Sequence, residues 1–332
     1  MGAHASIDWS RSVRLGESNT LFVKYLNRFL FPCQVSQFTK EHDIDIFHVH
    51  GMLNSFYFPF SHAKKLVIEN QGSDVIRTAD LYPVFKPLYR FFYRFVDAVI
   101  QDSKVAQRKG LQLGAPANNN EIIEIGVDFR DFNPDVEYGK ARANLGLSKD
   151  DKMVFSSRGF KDIYNLDIVL STIPTIIESV KEAKFVFASH ISGFMEKYGT
   201  LINQLEIEDY VLFAGQLDHT DSMPYFCKDA DVVVSVPSSD SSPSSVYEAM
   251  ACKTPVILSD LPWHQGKFEK DQDMVVVPVR DVERLAEAII QIFSGEKTVD
   301  VNSAYEKVLK NINYEIENRK LEKLYQRILG LT

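Results

Sequence analysis

Cysteine is scarce in this chain. Among 332 residues only Cys33, Cys227 and Cys252 occur, too scattered for a disulfide framework or a paired-cysteine metal site. Reduced thiols make the cytoplasm the default location. A surplus of positive charge is lacking as well: 37 Lys plus Arg against 45 Asp plus Glu leave a net charge of -8. That balance excludes a dedicated nucleic-acid binder and requires any anion to be gripped locally. No apolar run approaches the roughly 18 to 20 residues of a membrane span, and the opening MGAHASIDWSRSVRLG lacks the apolar core of a secretion signal. The expectation is a soluble protein, at most peripheral to a membrane. No G-x-G-x-x-G follows a strand, which argues against a nicotinamide dehydrogenase. No Asp-x-Asp pair sits on a strand-to-loop junction, only Asp43-Ile44-Asp45 ahead of a strand, so a metal-dependent diphosphate site is disfavoured.

What is present is a 45 % hydrophobic chain long enough for two buried cores. Short β-branched runs alternate with helical patterns, the sign of parallel α/β units. Strands are expected at 44–49, 66–69, 98–101, 122–125, 153–156, 185–188, 211–213, 232–236, 255–258 and 274–278. Helices are expected at 21–31, 83–96, 165–179, 195–205, 223–227, 245–251 and 282–293. The charged, Pro- and Gly-bearing stretch 132–147 separates two series of strands and reads as the boundary between two lobes. A final amphipathic helix carries Ile316, Leu321, Leu324 and Ile328 on one stripe and must dock on the rest.

The segment DADVVVSVPSSDSSPSSVYEAMACKTPVILSD joins a buried strand to a serine loop, a short helix and another buried strand. Ligands bind at such strand carboxyl ends. Pro243 is expected at the first helical position with Ser242 as cap, leaving the amides of Ser244 and Ser245 free for a phosphate. Asp240 and Glu248 flank this turn, and both carboxylates can face one ligand. An equally open alternative makes Ser245 and Glu248 a capping box and Asp240 a turn residue.

These residues resemble the donor-binding signature of retaining glycosyltransferases with the GT-B architecture, family four, the glycosyl transferases group 1. Its motif is E-x(7)-E followed by A-M-A-C-G-x-P-V-I; here Asp240 and Glu248 take the acidic positions and AMACKTPVI spans Ala249 to Ile257. GSDV at 72–75, GVDFRDFNP at 126–134 and VLFAGQL at 211–217 are similar to further elements of that family. The resemblance implies an α/β fold of two Rossmann-like lobes with a cleft between them. The implied division is an acceptor lobe over 1–139, a donor lobe over 140–300, and a tail over 301–332 that packs back on the first lobe.

The resemblance assigns Glu248 to the donor ribose, Asp240 to the transferred sugar, and Arg158 and Lys161 to the diphosphate, with Lys161 offset from the family's usual position. Ser242, Ser244, Ser245 and Val246 are expected among the donor-binding residues, with the Ser244 and Ser245 amides on a phosphate, and the base lies near Gly215 and Leu217. On the sugar and acceptor side it brings His50, Gln71 and Asp74. Gln71 replaces the family's histidine and cannot titrate; His48 and His50 are strand-end histidines, a type more often structural. Lys253 replaces a glycine, so that turn must keep φ negative or tolerate a strained lysine. The family's first strand and glycine loop have no match in MGAHASIDWS, so the first lobe is expected to be shortened.

The implied reaction moves a sugar, with retention, from a nucleotide-diphosphate sugar to a glycan or lipid-linked acceptor, with neither a metal nor another cofactor. A non-catalytic nucleotide-binding subunit stands as the alternative, and an epimerase lacks an identifiable acid/base set. Lys86, Arg90 and Arg94 recur every four residues among aromatics, a pattern suited to an anionic membrane surface or, alternatively, to a core helix with a solvated basic edge. Nucleic acid is not an expected partner, and the oligomeric state is not legible.

Overall fold

The computed structural model describes residues 32–70, 72, 75–76, 82–189 and 191–331. The helix expected at 21–31 lies outside the described residues, as do Gln71 and Asp74. Two parallel sheets organise the chain. The first has the order β1-β2-β3-β4, with β1 Ile46–His50, β2 Lys65–Asn70, β3 Ala98–Gln101 and β4 Asn120–Ile122. The second has the order β10-β9-β8-β5-β6-β7. Its strands are β5 Lys152–Ser156, β6 Ala183–Phe187, β7 Val211–Phe213, β8 Val232–Ser235, β9 Val256–Ser259 and β10 Val275–Val277.

Successive strand residues point to opposite faces, and helices cover both faces of a parallel sheet. In the second sheet Met153, Phe155, Val233 and Leu258 enter one core while Val154, Val232, Val234 and Ile257 enter the other. The first sheet divides in the same way. Leu66, Ile68 and Val99 pack with Tyr89 and Phe92, whereas Val67, Ala98 and Ile100 pack under Leu324 and Tyr325 of the final helix.

Several elements differ from the sequence expectation, among them the helices Lys104–Gln112 and Lys140–Leu145, which the periodicity does not predict. The fourth strand spans Asn120–Ile122 rather than 122–125: Ile123 still donates to the Gln101 carbonyl, but the next amide, of Glu124, turns to the Glu317 carboxylate, 2.9 Å away, and the pairing stops. Beside it, the expected helix 83–96 is confined to Phe85–Phe92.

The tail is two helices, Val301–Asn311 and Tyr314–Leu329, each begun by a side-chain cap, Asp300 and Asn313. Ala304 and Val308 of the first belong to a second-lobe core, and Lys307 lies 2.5 Å from Asp273. Only the last helix crosses back, through the bridge between Val127 and Asn313 and the pairing of Arg327 with Glu121. The tail assignment is corrected accordingly: residues 301–311 pack with the second lobe.

Lys253 adopts the left-handed conformation, φ 58°, so it accepts the strain in place of a glycine. Its ammonium, 5.0 Å from the Tyr305 ring, offsets part of that cost. No helix of the described residues is long and apolar enough to cross a membrane.

Candidate functional site

The carboxyl ends of the second sheet gather the expected donor-side residues. Arg158 follows β5, and its Nη2 lies 2.6 Å from Asp240 Oδ2 while its Nε donates to Ser235 Oγ at 2.8 Å. The Tyr164 ring stands 5.3 Å from the guanidinium carbon. Both ends of the pair are mostly shielded, with side-chain exposures of 13 % and 16 %. A guanidinium is thus held at a strand end by a single contact to a carboxylate that an incoming anion can replace. Lys161 is exposed, and its ammonium has no hydrogen bond or ion pair among the described residues.

The serine loop is pinned at its start. The Asn165 side-chain amide donates to the Val236 carbonyl and to Ser238 Oγ, each at 2.9 Å. The helix that follows is Ser244–Ala251, with Pro243 at the cap position rather than inside the helix and no side-chain cap. Ser242 does not cap. Its hydroxyl donates instead to Glu124 Oε2 of the first lobe at 2.5 Å. The capping-box alternative also fails: Ser245 Oγ is buried without a hydrogen-bond partner, and Glu248 meets His219 Nε2 at 2.9 Å.

The amides of Ser244 and Ser245 make no hydrogen bond among the described residues. The Val246 amide, by contrast, bonds the Pro243 carbonyl, and its side chain is fully buried. Val246 therefore offers the loop nothing, a correction to its place among the donor contacts. Two more serines at this end of the sheet, Ser156 and Ser189, bury hydroxyls with no partner. Orphaned hydroxyls beside free amides form a surface prepared for polar oxygens. Gly215 has φ 75°, and a side chain there would meet nothing within 4 Å, so the backbone beside it borders open space. Leu217 packs partly into the core below.

The first lobe touches this loop through groups that sequence reasoning missed. Asp102, just past β3, accepts from the Gly72 amide at 3.0 Å and from the Ser241 hydroxyl, and Ser103 Oγ lies 2.7 Å from Ser241 Oγ. Gly72 is needed for this approach, since a Cβ there would fall 2.2 Å from Ser241 Cβ. Glu124, just past β4, takes Lys267 Nζ at 2.7 Å as well as Ser242. Both acids follow first-sheet strands, so the strand-end rule that located the serine loop could have found them. His219 carried no such signal.

Burial pushes Asp102 up to about 6, against the hydrogen bonds it accepts from Ser241 and Gly72, with Glu124 and Asp240 adding to the rise. The hydrogen bond that the Glu248 carboxylate accepts from it holds the His219 pKa above its ordinary value. His50 ends β1, 3.4 Å from Glu69 Oε1, and that contact likewise raises its pKa. The sequence thus locates Arg158, Asp240, Glu248, Ser242, Ser244, Ser245, Gly215 and Leu217 along one end of the second sheet, and His50 at the carboxyl end of the first.

Residues 138–308 match the family model described as glycosyl transferases group 1. The chain is 23 % identical over 242 residues to the alpha-monoglucosyldiacylglycerol synthase of Streptococcus pneumoniae (strain ATCC BAA-255 / R6), covering 68 % of this chain and 54 % of that protein. It thus spans just over half the length of this curated relative. Among solved structures, sucrose-phosphate synthase from Thermosynechococcus elongatus superposes with a TM-score of 0.78 at 18 % identity, over 93 % of this chain and 80 % of the other. The Anabaena protein HepE in complex with UDP-glucose gives 0.76 at 16 % identity, over 91 % and 84 %. The shared architecture is the GT-B fold, two Rossmann-like lobes.

Proposed function

The chain belongs to the glycosyl transferases group 1 family, and from that membership we propose that it transfers a sugar from a nucleotide-diphosphate sugar to a glycan or lipid-linked acceptor, with retention of configuration and without a metal at the diphosphate. One observation carries the reading: Arg158, the free amides of Ser244 and Ser245, and the acids Asp240 and Glu248 converge at the carboxyl ends of one parallel sheet. In this reading residues 1–139 form the acceptor lobe and 140–300 the donor lobe. Relatives in hand fit this class, since HepE is solved with UDP-glucose and the pneumococcal protein is named for a glycolipid.

The diphosphate takes the Arg158 guanidinium and the two amides, and Lys161 reaches it from the exposed side. Glu248 releases His219 to accept the ribose hydroxyls. Asp240, freed when Arg158 turns to phosphate, accepts from hydroxyls of the sugar. The nucleotide base lies over the backbone at Gly215 and beside Leu217. As the bond between the anomeric carbon and the phosphate oxygen breaks, charge grows on the leaving diphosphate. Donors fixed before that moment stabilise it without reorganising. The acceptor hydroxyl attacks from the face the phosphate leaves, and its proton passes to the departing phosphate oxygen. His50, Gln71 and Asp74 belong to the sugar and acceptor side; Gln71 and Asp74 lie outside the described residues.

A lipid-linked acceptor suits the outer surface of the first lobe. Phe91 and Phe95 are 52 % and 58 % exposed, beside exposed Arg90 and Arg94, and Phe56 stacks edge-on against Phe92 with 47 % of its own surface open. Aromatic side chains flanked by arginines bind an anionic interface peripherally. Flotation with anionic vesicles at low salt is expected to carry the protein upward, and Phe91→Ser with Phe95→Ser to leave it at the bottom. Failure of the parent protein to float removes the lipid arm of this reading.

Thermal-shift titration with UDP, GDP and ADP and their sugars tests the donor reading. A true ligand at about a hundred times its dissociation constant adds about 2.7 kcal/mol to the folded state. No shift with any of them sinks the reading. The glutamine at position 71 supports one rival, a nucleotide-binding subunit without catalysis. Binding without consumption of any sugar nucleotide, with or without acceptors, decides for that rival.

A further inference from the structure

We propose that His48, His50 and Glu69 form a zinc-type metal site at the carboxyl end of the first sheet, second to and separate from the donor site. His48 and His50 are two apart on β1 and so share one face of the sheet. The parallel register places Glu69 of β2 directly beside His50. One ligand atom from each of the three lies within 4.8 Å of the other two. His48 Nε2 stands 3.3 Å from Glu69 Oε2, and His50 Nδ1 stands 3.4 Å from Glu69 Oε1. Adjacent vertices of a tetrahedron with metal–ligand bonds of about 2.0 to 2.1 Å are about 3.3 Å apart; each imidazole nitrogen already stands at that distance from one Glu69 oxygen, and a small turn of the carboxylate brings one oxygen to both.

The surroundings prepare His48 to ligate. Its Nδ1 lies 2.6 Å from the hydroxyl of Tyr325 on the final helix. When Nδ1 donates that hydrogen bond, Nε2 keeps its lone pair and directs it toward Glu69. Outer hydrogen bonds of this kind orient metal-binding imidazoles. Nε2 is buried and completes no hydrogen bond.

Two imidazoles and one carboxylate are the borderline donors that zinc takes in open sites with a fourth position left over. His50 supplies the open side, since its side chain is 59 % exposed while those of His48 and Glu69 are 15 % and 20 %. All three ligands come from the first sheet, whereas the charge opposite the diphosphate comes from Arg158 in the second lobe. The proposed ion therefore holds the first sheet and, through Tyr325, the final helix, and it does not neutralise the donor.

The full chain, stripped with a chelator and titrated with Zn2+ under equilibrium dialysis, is expected to take up one equivalent. Co2+ in its place is expected to show the strong visible absorption of a tetrahedral field. His50→Ala removes an exposed ligand, and Glu69→Gln removes the anionic one; each is expected to weaken zinc at least tenfold. Tyr325→Phe keeps the ring and is expected to weaken zinc by about ten- to a hundredfold, the usual cost of an outer partner. Zinc is expected to raise the Tm of the parent chain but not that of His50→Ala. No uptake by the parent chain, or uptake equal in parent and variants, overturns the assignment; in the first case a proton rather than a metal joins these groups.

Discussion

The two lobes solve the same packing problem with different completeness. The second sheet is enclosed on both faces by residues of its own lobe, apart from the short contribution of the Val301–Asn311 helix and the 127–132 stretch. The first sheet borrows one cover, because Leu324 and Tyr325 of the final helix close the face formed by Val67, Ala98 and Ile100. Exposure follows the same division. Leu53, Phe56, Phe60, Tyr82, Val84, Phe91 and Phe95 leave large apolar surfaces open in the first lobe, against Ile191 and Val279 within 140–300 among the described residues. The lesson is that the second lobe is finished as a folding unit. Among the described residues, the first draws on the tail to cover one face of its sheet and leaves its outer aromatics open.

That contrast predicts a separation of effects, the largest of them in chemistry. Arg158→Ala should leave the fold intact, since it removes one strand-end side chain, yet cut turnover by about a hundredfold or more, the cost of roughly 3 to 4 kcal/mol of transition-state stabilisation. Steady-state kinetics with the donor found by thermal shift checks this. Should Arg158→Ala instead unfold the second lobe, that lobe is less self-contained than its packing indicates.

The complementary cut is Leu324→Ala, at a fully buried position between tail and first sheet. It should cost about 2 to 5 kcal/mol in the first lobe while nucleotide binding by the second survives. Hydrogen exchange resolved by region, paired with nucleotide titration, distinguishes the lobes. Equal loss of protection in both means they fold as one cooperative unit.

Where the lobes meet, Asp102 should make stability depend on pH. Its folded pKa, about 6, lies above the ordinary 3.8, so the folded state holds the proton more tightly than the unfolded one. The sign follows directly. This contribution favours folding at low pH and is lost as pH rises through the window from about 4 to 6, by a term on the order of 3 kcal/mol. Asp102→Asn keeps an acceptor for Gly72 and should flatten the Tm profile across that window; an unchanged profile would show that burial at the lobe contact is not what raises Asp102.

The smallest effect belongs to His219, whose raised pKa rests on Glu248. When a nucleotide takes Glu248, His219 loses that support and releases its proton. Nucleotide affinity should therefore rise a few-fold as pH climbs above about 6.5, and His219→Ala should abolish the slope, as read by calorimetry at several pH values.

Periodicity made the sheets readable. The run 98–101 falls on an observed strand because an inner parallel strand, covered on both faces, is mostly apolar. The ends were less readable, as at β4, where the choice between sheet and final helix depended on a carboxylate, Glu317, that lies far along the chain. Within the site, the spacing of Asp240 and Glu248 and the serine loop stood out because one local segment holds them. His219 did not, since nothing in its own neighbourhood marks it as the partner of Glu248, and Glu124 is marked only by its place after a strand, not as the partner of Ser242.

By itself the order of residues determined two α/β lobes, their strand cores and the loop that gathers serines and acids, since each depends on pattern within a few dozen positions. Only the tertiary structure decided that Ser242 serves the first lobe rather than its own helix, that Arg158 pairs with Asp240, and that Tyr325 reaches His48. Those are contacts between segments distant along the chain, and a hydrogen bond forms only where packing brings donor and acceptor within about 3 Å.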